Sequence, residues 1–164
     1  MGQWLAPAAP AAAVAVLNMN GVYGTLVFTE RGGGRGLRVR VQLRGVPPGN
    51  HGLHVHEYGD LSGVRCAAAG SHYNPHGHTH GSRRSPPERH PGDFGNVRAD
   101  ALGVVSADFE VSGVHLADVI GRSVVLHSGE DDGGAGLGNL RAESLKTGNS
   151  GPRLACAVVG WAAA

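Results

Sequence analysis

Leu37-Arg38-Val39-Arg40-Val41-Gln42-Leu43 alternates apolar and polar side chains without a break, the period-two pattern of a strand with one face in a core and one in water. It follows Arg31-Gly32-Gly33-Gly34-Arg35-Gly36, a turn in which closely spaced glycines supply backbone freedom that other residues lack. Shorter apolar stretches at 13–18, 25–28, 53–57, 96–99, 104–111, 123–127 and 155–159 bring the count to about eight strands. No stretch of ten or more residues has the amphipathic period of a helix. The pattern predicts an antiparallel sandwich or barrel. Two segments break the strand rhythm, 59–92 and 128–152. Both are long, Gly-rich and polar, and loops of that length are usually functional or disordered.

Composition narrows the reading. A chain of 164 residues is expected to form one domain, here 12–164, with Met1 to Ala11 as a flexible Ala/Pro extension. The 28 glycines and few aromatics agree with many short elements joined by tight turns. A formal charge of +1 and the lack of any basic tract argue against nucleic acid or a membrane surface as partner. Arg31, Arg35, Arg38, Arg40 and the Arg83-Arg84 pair are expected to be solvated. No run approaches the ~20 apolar residues that span a bilayer. Ala11 to Leu17 imitates the apolar part of a signal peptide, but no Lys or Arg precedes it. Cytoplasmic localisation is therefore expected, with secretion as the alternative if the Ala-rich start acts as a weak signal.

The histidines change the picture most. His54 and His56 lie two apart on a predicted strand, so both project from one face while Val55 packs the other way. Such a pair is by itself most often two solvated side chains. Here His72, His80, His90, Asp93 and His127 follow it, in a chain with no other concentrated chemistry. Imidazole suits copper and zinc, and one carboxylate among nitrogen ligands fits a tetrahedral zinc site. The set predicts a metal site with a second beside it. The two cysteines, Cys66 and Cys156, are on composition alone as compatible with buried free thiols as with a disulfide.

Several ordered motifs resemble copper/zinc superoxide dismutase of the eukaryotic type. They are Gly52-Leu53-His54-Val55-His56-Glu57-Tyr58-Gly59-Asp60, Gly70-Ser71-His72-Tyr73-Asn74-Pro75 and Arg89-His90-Pro91-Gly92-Asp93-Phe94-Gly95-Asn96. Gly121 to His127 and Lys146 to Cys156 continue the match. The resemblance implies an eight-stranded antiparallel Greek-key barrel or sandwich carrying two long functional loops. It implies copper on His54, His56, His72 and His127, and zinc on His72, His80, His90 and Asp93, with His72 bridging the metals. It further implies Arg153 as the group that captures superoxide, Lys146 as an aid to steering, His72 as a proton donor, and Asp131 as a carboxylate linking a copper histidine to a zinc histidine. Cys66 and Cys156 would form a disulfide, and the partners would be superoxide, a second copy of the chain and a copper chaperone during maturation. The implied reaction is dismutation of superoxide to dioxygen and hydrogen peroxide, an antioxidant activity.

Four histidines stand outside this set: His51, His76, His78 and His115. His76-Gly77-His78-Thr79-His80 could hold a further metal, although a solvated Gly-rich loop is the favoured reading. The chain also departs from the family. The segments 60–66 and 80–90 are each about one residue longer than the family's usual spacing, and 131–146 is about three longer, gaining Leu137, Leu140 and Arg141. Pro152 restricts Gly151 ahead of Arg153, and Trp161 stands where the family keeps a small aliphatic residue near its dimer interface. A copper-delivery protein is the competing class, but it needs exposed thiols, and neither Cys-x-x-Cys nor Cys-x-Cys occurs. A metal-buffering protein with slow turnover is the third.

Overall fold

The computed structural model describes residues 12–84 and 88–163; the extension 1–11 lies outside them. Eight strands run β1 (Ala12–Met19), β2 (Val22–Glu30), β3 (Leu37–Arg44), β4 (Gly49–His56), β5 (Asp93–Ala99), β6 (Val105–Val111), β7 (Ser123–His127) and β8 (Arg153–Trp161). They close into a barrel in the order β1-β2-β3-β6-β5-β4-β7-β8, and every pairing is antiparallel. The step from β3 to β6 and the return from β4 to β7 give the Greek-key connection.

Alternation decides which side chains fill the barrel. Along β3 every second residue, Leu37, Val39, Val41 and Leu43, is buried while the arginines and Gln42 face out. These meet Leu17, Val22, Leu26, Phe28, Leu53, Phe94 and Leu126 in one continuous core. On the outer face Arg38 pairs with Asp108, an exposed pair that adds little to stability, and a half-buried Arg31 pairs with Glu110. Arg83 departs from its expected solvation. Its guanidinium lies 4.2 Å from the centre of the Phe109 ring and donates to the Phe94 carbonyl at 3.1 Å.

The barrel is stitched unevenly. β2 and β3 share eight paired positions, whereas β5 meets β6 only at Ala99–Val105 and β1 meets β8 at three. These two seams divide the barrel into β1-β2-β3-β6 and β5-β4-β7-β8. The second group carries the long loops. A 3-10 segment over Val64–Ala69 lies in the first loop and a short helix α1 (Leu116–Val119) precedes β7. A second helix, α2 (Arg141–Thr147), lies in the second loop, where the apolar pattern predicted no helix.

Candidate metal centre

β4 places His54 and His56 together even though period two alone would alternate core with water. The strand is covered on both faces, so all of His51 to His56 are buried. Pairing with β7 sets His54 opposite Val125, and a register shift between Gly52 and His54 on the β5 side brings His54 opposite Asp93. His127 ends β7, Asp93 begins β5 and Arg153 begins β8. His72 reaches His56 through an isolated backbone bridge. Four neighbouring strand ends and the first loop thus deliver their polar side chains to one place.

There the ring nitrogens sort themselves. Nδ1 of His54 and Nε2 of His56, His72 and His127 are buried and have no hydrogen-bond partner among the described residues. A buried nitrogen left unpaired costs on the order of 1–3 kcal/mol, so four converging ones call for a ligand that accepts four lone pairs. These four residues can bring donor atoms within 4.8 Å of one another. The opposite nitrogens are held: His56 Nδ1 to the Gly70 carbonyl at 2.9 Å, His127 Nδ1 to the Gly151 carbonyl at 2.8 Å, and His54 Nε2 to Asp131 Oδ2 at 2.8 Å. Each such contact fixes tautomer and ring direction.

A second group crowds one carboxylate oxygen. Asp93 Oδ1 lies 2.9 Å from Nδ1 of His72, 2.9 Å from Nδ1 of His80 and 3.1 Å from Nδ1 of His90. The His80 contact is close without hydrogen-bond geometry, since that nitrogen remains unpartnered. Three inward nitrogens and one oxygen make the donor set of a tetrahedral zinc site. By proximity alone, His54 groups with His72, His80 and Asp93 in place of His90. Direction separates the two: His54 turns Nε2 to Asp131, whereas His90 points Nδ1 at Asp93 and hands Nε2 to the His78 carbonyl at 3.0 Å. His72 alone shows Nδ1 to the second group and an open Nε2 to the first. Asp131 joins the groups from behind, with Oδ2 on His54 and Oδ1 on His80 at 2.8 Å each.

Burial and these neighbours set the charges. Desolvation, reinforced by His72, lowers His56 to about 2, and desolvation lowers His127 to about 4. Both rings stay neutral and available to a metal. Burial also works against a charged His80, but the carboxylates of Asp131 and Asp93 outweigh it and raise it to about 9. Burial opposes charge on Asp93 too, yet hydrogen bonds from His72 and His90 and the close, charged His80 ring hold it far below the carboxylate range. A cation would replace the protons that now balance these carboxylates.

The centre opens into a cleft of about 970 Å³ lined by His56, His72 and His127 together with Arg153, Lys146 and Arg65. Arg153 is anchored, its guanidinium donating to the carbonyls of Cys66 and Gly70. Cys66 and Cys156 form a disulfide, so this loop, Arg153 and β8 are one tethered unit. Met19 Sδ packs 3.6 Å from both disulfide sulfurs. Gly151, with φ of +74°, accommodates the proline that follows it. Lys146 faces the cleft from α2, while Arg141, at the start of the same helix, is exposed and not part of the lining. Sequence reasoning missed Arg65, and it missed His51, which is buried behind His127 with Nδ1 2.8 Å from the His127 carbonyl and Nε2 2.7 Å from that of Pro47. No motif spacing pointed to either. His115 sits apart, capping α1 beside Glu30.

Comparison with known proteins agrees with this geometry. The profile of the copper/zinc superoxide dismutase family matches residues 22–159. The extracellular copper-zinc superoxide dismutase of Onchocerca volvulus is 47% identical over 92% of this chain and 76% of its own length. The human copper chaperone for superoxide dismutase is 46% identical over 90% of this chain, but over only 52% of its own length. The crystal structure of the clock protein EA4 superposes with a TM-score of 0.84 at 39% identity, covering 99% of this chain and 100% of that one.

Proposed function

The chain belongs to the copper/zinc superoxide dismutase family, and from that membership we infer how its own residues divide the work. It is a superoxide dismutase with copper and zinc as cofactors, converting superoxide to dioxygen and hydrogen peroxide. The four converging, unpartnered ring nitrogens carry the assignment: His54 Nδ1 and Nε2 of His56, His72 and His127 hold copper. Nδ1 of His72, His80 and His90 with Asp93 Oδ1 hold zinc, the choice of His90 over His54 resting on the direction of its donor nitrogen. When bound, copper exchanges one electron with each of two superoxide anions in turn, while zinc keeps one oxidation state.

The protein's own groups do the rest. Arg153 stays charged at working pH and draws the anion toward the open nitrogens at the cleft floor, and Lys146 adds to the attraction from α2. His72 would give the reduced anion one proton from Nε2 at the stage when that nitrogen is not held by copper, and water would give the second, so that hydrogen peroxide leaves. Asp131 orients His54 and His80 at once. Residues 12–164 form the domain that does this.

Purified protein loaded with both metals should consume superoxide and hold one copper and one zinc per chain. His127→Ala should lose copper and activity while keeping zinc, and Asp93→Ala should loosen zinc first. One metal equivalent in the parent, or loss of the same metal from both variants, would reject the assignment.

Copper delivery to another protein is the second reading, favoured only by the human relative. It needs free thiols, and both cysteines of this chain are joined to each other. That bond supports the chain as the client of a copper chaperone during maturation. We also propose a homodimer formed through the exposed apolar side chains of β1 and β8. The expected location is cytoplasmic, with secretion the alternative that the name of the Onchocerca relative supports.

A further inference from the structure

His76 and His78 take no part in either donor set, yet the chain holds them as if for a ligand. Their ring centroids lie 5.8 Å apart. Rings that meet in the copper set stand at comparable spacings, His56 and His127 at 5.6 Å and His54 and His127 at 4.8 Å. The turn carrying them is pinned rather than loose. Asn74 brackets His78 from both sides, Nδ2 donating to its carbonyl at 2.9 Å and Oδ1 accepting from its amide at 3.0 Å. His90 Nε2 adds a third contact to the same carbonyl. Among the described residues no hydrogen bond uses a ring nitrogen of either histidine, so all four nitrogens are open to a ligand. His76 is exposed, and His78 is half-buried and lines the cleft above the metal centre.

We propose that His76 and His78 form a third, exchangeable divalent-cation site on the rim of the cleft, completed by water. Two imidazoles on a fixed turn suit a borderline cation such as Zn(II) or Cu(II), and suit Mg(II) or Ca(II) poorly. Two protein ligands make it weaker than the four-donor sets beneath it, so the ion would exchange with solvent. The site shares the His78 peptide with the outer contact of His90, and the same segment supplies His80 two residues later. A cation captured at the rim is thereby placed next to the zinc ligands, which fits an uptake station for the deeper site.

The test uses the copper- and zinc-loaded protein after desalting, titrated with ZnCl2 by calorimetry at neutral pH. The parent should take up one further equivalent, and His76→Gln, an exposed change with no packing role, should lose it or bind it at least tenfold more weakly. The double change His76→Gln and His78→Gln should abolish it, and the exposed single change His76→Gln should leave the resident copper and zinc contents unchanged. A CuSO4 titration should show electron paramagnetic resonance hyperfine structure from two added nitrogens, absent from the double variant. No third equivalent in the parent, or an equal one in His76→Gln, overturns the proposal whether or not the two deeper sites are assigned correctly.

Discussion

Arg153 is the residue whose position says most about rate. Superoxide is an anion and the chain is near neutral overall, so attraction has to be local to the cleft. Fields from such a site are screened over roughly 8 Å at physiological ionic strength. Arg153→Ala should lower kcat/KM about ten- to thirtyfold, on the order of 1–2 kcal/mol, and flatten its dependence on salt. Stopped-flow superoxide decay at rising NaCl reads this directly; a salt-independent rate in the parent would contradict it. Arg83 is a poor control, since its removal would uncover Phe109, whereas Arg35, on the far loop, is a clean one. The histidines give a second prediction at this scale. In metal-free protein, His127 at about 4 and His56 at about 2 stay neutral when an unfolded histidine, near 6.5, takes a proton. The unfolded state then binds more protons, so stability should fall as pH drops from about 6.5 toward 4. His80, raised to about 9, acts in the opposite sense: its contribution is complete below 6.5 and is lost as pH rises through 9. Urea unfolding of the metal-free protein at several pH values should therefore find a maximum near pH 6.5; a flat profile from 5 to 8 would refute it.

Elements show where sequence was enough and where it was not. The alternation of β3 and the five buried residues of β7 were legible because a period-two pattern answers directly to a half-covered strand and an apolar run to a fully covered one. The proposed ligand residues were legible because each is a side chain with metal chemistry of its own. Their supports were not, because the carbonyls of Gly70, His78 and Gly151 belong to the backbone, which every residue has. Helix α2 escaped notice because it is seven residues long and exposes most of its surface, leaving only Ser144 buried. Its C-terminus nevertheless reaches the metal centre. Gly148 closes it in the left-handed conformation at φ +68°, and a Cβ there would collide with Asp131 Oδ1. Gly148→Ala should thus cost about 1–2 kcal/mol for the backbone alone. It should also displace Asp131, weakening both metals, with metal affinity falling on the order of 10- to 100-fold. Competition with a chelator measures that loss; unchanged affinity for both metals would show that Asp131 is not the link.

At the scale of the whole molecule, Val16 on β1 with Val158 and Trp161 on β8 make neighbouring exposed apolar positions on paired strands, with fractional exposures of 63%, 43% and 48%. Trp161→Glu should convert a dimer to a monomer in sedimentation velocity while leaving metal content intact; a parent already monomeric at micromolar concentration would dispose of the dimer. The two thin seams of the barrel have a different consequence. Every side chain assigned to a metal, and Arg153 with them, comes from β5, β4, β7, β8 or the loops joined to them, and none from β1, β2, β3 or β6. The outer surface of the β1-β2-β3-β6 half, with Arg38, Arg40, Asp108 and Glu110, is spare canvas for protein engineers: a tag, a new charge pattern or a grafted binding epitope can be written there without rewriting the enzyme.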